Sequence, residues 1–213
     1  MKHILCYGDS NTWGYIPVSG LRYDEHTRWT GVLQDLLGEE YRVHEDGLNS
    51  RTSTYDETTK PFLNGIKTLP PVLSAQKPLD AVVLCLGTND LKHMTAAESC
   101  EGVRQIIRLI RAFDDMYPSS TPVFRDEKRI LLLSPIALGP AAGNVNPDTD
   151  NAAVMAEVFR FPELLRRIAG EENTAFLNLQ SVAEPSEEDG MHMTPEGHKA
   201  IGQAVADMLI RML

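Results

Sequence analysis

Four short apolar runs recur along the chain: Ile4 to Tyr7, Ala81 to Leu86 (AVVLCL), Ile130 to Leu133 (ILLL) and Ala175 to Leu179 (AFLNL). A weaker fifth run covers Tyr41 to His44. Continuous apolar runs of this length suit strands buried on both faces. Between them the apolar positions change period. Trp29 to Leu37 reads as a helix that stops at Gly38, a natural residue just past a helix end. Val103, Ile106, Ile107, Ile110 and Phe113 form a helical stripe. Val154, Val158, Leu164, Leu165 and Ile168 form a looser one, interrupted near Pro162. Ile201, Val205, Met208, Leu209 and Met212 mark a last helix, with Thr194 as N-cap and Pro195 as its first residue.

Strands alternating with helices predict βαβ units, a parallel sheet and right-handed crossovers. The expected architecture is α/β: a three-layer α/β/α sandwich on a five-stranded parallel sheet, one domain over residues 1–213. Two connections are long, from Gly47 to about Leu69 and from Pro135 to about Asn151. Both follow a strand, so both start at the carboxyl edge of the sheet, where open α/β sheets bind ligands.

Polar clusters follow three of the strands. Gly8-Asp9-Ser10 follows the first, Gly87-Thr88-Asn89-Asp90 follows AVVLCL, and Asp189-Gly190-Met191-His192 precedes the last helix. Each alone has a plain structural reading: a turn or helix cap, a type I turn, a turn with a surface histidine. Together, at one sheet edge, they supply the parts of an acyl-transfer site. A serine hydroxyl needs a base to remove its proton, and His192 suits that task for Ser10. Asp189, three residues earlier, can reach His192 Nδ1 through one tight turn and hold the tautomer. The oxyanion of such a reaction needs donors, and the Ser10 N–H and the Asn89 side chain qualify.

Charge narrows the partners. The 213 residues carry a formal net charge of -10, which disfavours nucleic acid and anionic membrane surfaces. No apolar run approaches the ~20 residues of a membrane-spanning helix, and no apolar leader follows the N-terminus, so the chain reads as cytoplasmic. Cys6, Cys85 and Cys100 show no CxxC spacing and read as free, buried thiols. Asp189, His192, Glu196 and His198 would be scattered around the start of the last helix, so no metal is expected, and no cofactor is expected either. His3, His26, His44, His93 and His198 have no acid and serine beside them and read as surface or structural residues.

GDS after the first strand, GTND after the third and DxxH before the last helix resemble the SGNH-hydrolase, or GDSL esterase/lipase, family. Closer in, CYGDSNTWGY, RWTGVLQDLLG, EDGLNSRT and LGTNDLK resemble its bacterial arylesterase/acyltransferase branch. The resemblance implies a flavodoxin-like SGNH-hydrolase fold, with Ser10 as nucleophile and first oxyanion donor, Asn89 as side-chain donor, His192 as base and Asp189 as its orienting acid. Asp9 holds the serine turn, with Gly8 and Gly87 supporting the site. Many relatives place a glycine donor after the second strand. Ser50 falls at that position here, and its backbone N–H is the expected third donor. The implied activity is a serine esterase for short, acetyl-type esters of aryl or sugar alcohols, with acyl transfer to a second alcohol as an extension and a homo-oligomer as the assembly. Trp13, Ile16 and the 135–151 connection are expected to border the pocket. Phe159 and Phe161 are lid, interface or core residues. Thioesterase, lysophospholipase or peptidase activity with the same residues, or a non-catalytic flavodoxin-like binding module, are the alternatives. Arg22, Arg28 and Arg51 have no assigned role at this level.

Overall fold

The computed structural model describes residues 1–143 and 151–213. In chain order the elements are β1 (Lys2–Gly8), α1 (Ser10–Trp13), α2 (Trp29–Leu37), β2 (Tyr41–Gly47), α3 (Gly65–Gln76), β3 (Ala81–Cys85), α4 (Ala96–Met116), β4 (Ile130–Leu133), α5 (Asn151–Val158), α6 (Phe161–Glu171), β5 (Ala175–Leu177) and α7 (Pro195–Met212). The five strands form one parallel sheet in the order β2-β1-β3-β4-β5. This is the sandwich expected from the alternating pattern.

The pleat sorts the strand residues into two cores. Leu5, Tyr7, Val82, Leu84, Ile130 and Leu132 point to one face, where they meet Leu69 and Leu73 of α3, Ile106 and Ile110 of α4 and Leu165 of α6. Ile4, Cys6, Val83, Leu131 and Leu133 point to the other, against Leu33 of α2 and Ile201, Val205 and Leu209 of α7. Burial on both faces is why β1, β3 and β4 read as unbroken apolar runs. β2 is an edge strand with only half-buried and exposed positions, which explains its weaker signal. All three cysteines are free and buried.

The connection after β2 is shorter than the expected 47–69. Its end folds into α3, with Asn64 as N-cap accepting from the Lys67 N–H. Pro70 and Pro71 lie inside this helix and obscured it in the sequence. Burial of Leu69 and Leu73 one turn apart holds the helix despite the two missing donors. Of the 135–151 connection, residues 144–150 lie outside the described residues.

Register aligns the strand exits. Gly8, the last residue of β1, pairs with Gly47 on one side and Cys85 on the other, so β1, β2 and β3 end side by side. In this strand order the crevice between β1 and β3 is the topological switch point, the usual ligand site of such sheets.

Candidate functional site

The turn after β1 is tightly specified. Asp9 caps α1, its side chain accepting from the Asn11 N–H at 3.0 Å. A Cβ on Gly8 would lie 2.0 Å from Thr12 Oγ1 and 2.9 Å from the Cys85 carbonyl, so only glycine lets α1 sit this close to the sheet. Ser10 is the first residue of α1 and keeps 8% of its surface exposed, enough to meet a small ligand. Asp9 is buried, and burial pushes its carboxyl upward, against the opposing pull of the Asn11 N–H, His192, Lys92 and Arg51.

His192 arrives from the far side of the sheet. Its Nε2 accepts from Ser10 Oγ at 3.0 Å, and its Nδ1 donates to Asp189 Oδ2 at 2.7 Å. The other Asp189 oxygen accepts from the Met191 and His192 backbone N–H groups, both at 2.9 Å. Burial alone would raise the Asp189 carboxyl. The two backbone donors and the imidazole outweigh it and hold the group below its ordinary value, so it stays ionised beside the ring. The ring of Tyr15 stacks on His192 with centroids 4.1 Å apart. Gly190, at φ +65°, lets the turn pass close to the Ala142 N–H and the Gly139 carbonyl. The Gly139 N–H donates to the Gly190 carbonyl at 2.7 Å, so the described part of the 135–151 connection braces this loop.

Asn11 had no expected role, yet it ties the two halves together. Its Nδ2 donates to the Met191 carbonyl and its Oδ1 accepts from the Met193 N–H, each at 3.2 Å. The side chain thus acts like a peptide group paired to the backbone on both sides of His192. The signal was visible only as an amide next to Ser10, because its partners lie 180 and 182 residues away.

Asn89 sits on a short 3₁₀ helix, Thr88–Lys92, rather than in the simple turn its sequence allowed. Gly87 before it has φ +139°, and a Cβ there would meet the buried Phe161 ring at 2.9 Å. Asn89 Nδ2 donates to the Arg51 carbonyl at 3.2 Å, which docks it against the β2 exit. Ser50, on that exit, has φ +65°, the left-handed backbone that favours glycine. This chain bears the conformation with a Cβ in place. Among the described residues, the Ser10 and Ser50 N–H groups have no protein acceptor.

Arg51 explains the order of this edge. Its guanidinium donates to the Gly8 and Asp46 carbonyls at 2.9 and 2.6 Å and to the Asp46 carboxylate at 2.6 Å, and it lies 3.9 Å over the Tyr7 ring. Asp90, fully buried, accepts from the Ser53 N–H at 2.9 Å and from Ser99 Oγ at 2.8 Å. Burial pushes its carboxyl up to about 6. Arg28 grips Glu45 through two hydrogen bonds of 2.9 and 2.7 Å, and Arg22 reaches the same carboxylate at 3.9 Å while donating to the Trp13 carbonyl at 2.7 Å. These arginines order the loops around the site.

A cavity of about 250 Å³ abuts Asn89 and Ser50, lined also by Thr52, Tyr55, Lys92 and His93. Trp13 is not part of this lining. It packs beside Tyr15, with centroids 6.3 Å apart, on the His192 side. Phe161 is core, whereas Phe159 is 61% exposed. Among the described residues, no group of three metal-ligating side chains converges.

A parallel α/β sheet with a Ser-His-Asp hydrogen-bond chain at its carboxyl edge is the framework of a serine hydrolase, and the family and the esterase structures it matches make the class a carboxylic ester hydrolase. The chain belongs to the GDSL-like lipase/acylhydrolase family, whose model matches residues 6–200. Among solved structures it is similar to a carbohydrate acetylesterase family member from Sinorhizobium meliloti, with 34% identity and a TM-score of 0.90 over 100% of this chain and 99% of that one. It is also similar to the native aryl esterase of M. smegmatis, with 31% identity and a TM-score of 0.89 over 100% of both chains. No curated protein matches it. Among the described residues, no helix is long and apolar enough to cross a membrane.

Proposed function

We propose that this chain is a serine esterase acting on short-chain, acetyl-type esters of aryl or sugar alcohols through an acyl-enzyme on Ser10. The observation that carries the reading is the unbroken hydrogen-bond chain from Ser10 Oγ through His192 to Asp189, at 3.0 and 2.7 Å. Ser10 Oγ attacks the ester carbonyl as His192 Nε2 takes its proton. Asp189 keeps the Nδ1 proton in place and stabilises the imidazolium. The Ser10 and Ser50 N–H groups and the second Asn89 Nδ2 hydrogen receive the oxyanion. His192 then protonates the leaving alcohol, and a water activated by the same nitrogen releases the acid. An alcohol in place of that water gives acyl transfer.

The small cavity beside the donors, about 250 Å³ and edged by Ser50, Thr52 and Tyr55 hydroxyls, favours a compact substituent over a long alkyl chain. The acetylesterase and aryl esterase names of the similar structures point the same way. The test is steady-state hydrolysis of p-nitrophenyl acetate, butyrate and octanoate by wild type and Ser10→Ala. The acetate is the best substrate, and Ser10→Ala loses at least about 10⁴-fold in kcat. A variant as active as wild type sinks the mechanism. A rate that rises toward octanoate sinks the short-chain assignment.

A further inference from the structure

The Asn89 amide is held from both ends. Lys92 Nζ donates to its Oδ1 at 2.8 Å, and its Nδ2 donates to the Arg51 carbonyl at 3.2 Å. An ammonium only donates and a carbonyl only accepts, so the two contacts fix which end of the amide is oxygen. One Nδ2 hydrogen is left for a ligand. Lys92 closes the same 3₁₀ helix that carries Asn89, and it lines the cavity next to Ser50. Its ammonium is half-buried, and among the described residues no carboxylate lies within ion-pair distance of it. A cation withdrawn from water toward a neutral amide is costly unless something negative arrives. A neutral ester brings no charge, but its tetrahedral intermediate does.

We propose that Lys92 is a positioning residue for the oxyanion donor: its ammonium orients and polarises the Asn89 amide, so that the free Nδ2–H binds the developing oxyanion more strongly than the ground-state carbonyl. The proposal rests on the reading of Ser10 as the nucleophile. A charge-assisted hydrogen bond is roughly twice as strong as a neutral one and passes its polarisation to the next donor. Because the gain grows with charge on the substrate oxygen, it belongs to kcat rather than KM.

The arrangement also carries a pH signature. The titratable groups coupled to Lys92 are Asp9 on the β1–α1 turn and His93, the residue just past the end of its helix, while Arg51 at the β2 exit presents its carbonyl to the other end of the Asn89 amide and its charge to Asp9. Glu57 and Lys60 line the same cavity from the connection after β2. Burial lowers the Lys92 ammonium from its ordinary value, and Asp9 offsets part of that. Activity therefore declines at alkaline pH as the ammonium loses its proton and the polarisation with it.

Phenyl acetate hydrolysis by wild type, Lys92→Met and Lys92→Gln, followed by pH-stat from pH 6 to 10, tests this. Lys92→Met is expected to lose about tenfold in kcat with KM within twofold, and its profile lacks the alkaline decline. Lys92→Gln can still donate to Asn89 Oδ1 without the charge. It keeps more activity than Lys92→Met and lacks the decline as well, and it carries the test alone if Lys92→Met does not fold. Inhibition by a phenylboronic acid, whose serine adduct is anionic, weakens in parallel with kcat. A Lys92→Met enzyme with wild-type kcat, a loss confined to KM, or an unchanged alkaline decline overturns the proposal. If Ser10→Ala is inactive while Lys92→Met is fully active, only the Lys92 assignment fails. If Ser10→Ala is active, the underlying reading fails with it.

Discussion

The serine turn and the acid-base loop are built by different means. The serine turn is local: β1 ends, Gly8 lets the chain pass against Thr12 and Cys85, Asp9 caps α1, and Ser10 is in place. The acid-base loop follows β5, at the opposite edge of the sheet from β2, and returns to Ser10 only through long-range bonds. Asn11 pairs with Met191 and Met193, Gly139 donates to Gly190, and the Ser186 N–H donates to the His192 carbonyl at 2.7 Å. One half of the site is fixed by the sheet, the other by polar contacts that can be removed one at a time. The sheet half should therefore tolerate little change of shape, and the loop half should fail in graded steps.

The largest step is at Asp189. Asp189→Asn keeps the side-chain volume, but its amide can present an N–H where the Nδ1–H of His192 needs an acceptor, which favours the wrong tautomer. A fall in kcat of up to about 10⁴-fold is expected, with the melting temperature little changed. Kinetics of p-nitrophenyl acetate hydrolysis and a thermal melt on the same preparation check it. A loss below tenfold would mean that Asp189 only shapes the turn.

The two halves also answer acid in opposite directions. Asp90, which ties Ser53 and Ser99 to the sheet half, has a folded-state value of about 6 against 3.8 when exposed. Its folded value is raised, so its contribution to stability is fully present below about 4 and is lost as pH rises through 6. His198, in the first turns of α7 behind the acid-base loop, accepts from the Trp29 N–H at 3.2 Å. Burial, with Arg28 and His192 adding to it, lowers the His198 value from 6.5 to about 4. Its contribution is present above 6.5 and is lost as pH falls toward 4. Each shift corresponds to about 3 kcal/mol, so the two slopes nearly cancel between pH 4 and 6. Asp90→Asn should unmask the histidine, leaving a protein whose urea midpoint climbs steadily from pH 4 to 6.5. A midpoint as flat as that of wild type would show that the two groups are not opposed.

Asn11→Leu is the next smaller break. It keeps the bulk beside Ser10 and removes both amide contacts, leaving the Met191 carbonyl and Met193 N–H without their partner. The expected outcome is a loss of about 10 to 100-fold in kcat with KM within threefold, because the imidazole loses its alignment while the substrate pocket stays. A lower melting temperature with unchanged kcat would reduce Asn11 to a fold residue.

How much of this was legible follows the same division. β1, β3 and β4 were plain because burial on both faces makes every residue apolar, and Ser10, Asn89, Asp189 and His192 could be named because each lies on a short polar motif beside a strand or helix start. The α3 helix was hidden by Pro70 and Pro71, since its stability comes from the contacts of Leu69 and Leu73 rather than from local preference. Asn11, Arg51 and Lys92 were silent for a related reason. Their roles are hydrogen bonds to backbone and amide groups that the fold brings near, and a lone amide or cation in a sequence does not announce its acceptor. The seven-residue β2 was only half read, because an edge strand buries too little to be uniformly apolar.

The smallest effect tests the sheet half at Ser50, where its backbone is strained. Ser50 holds φ +65° with a Cβ, a conformation that costs a non-glycine residue of order 1 kcal/mol and persists only when its surroundings impose it. Leu48 donates to the Gly8 carbonyl at 3.1 Å, Arg51 N–H donates to the Leu48 carbonyl at 3.0 Å, and the Arg51 side chain clamps the β1 exit, so the residue between them has no freedom to relax. Ser50→Gly removes the strain and keeps the backbone N–H, at the expense of a more flexible unfolded chain. Stability should rise by up to about 1 kcal/mol in urea titration, with kcat on the acetate ester within threefold of wild type. A kcat that falls tenfold or more would mean that the Ser50 hydroxyl itself touches the substrate, and the sheet half would then owe part of its chemistry to a side chain rather than to backbone alone.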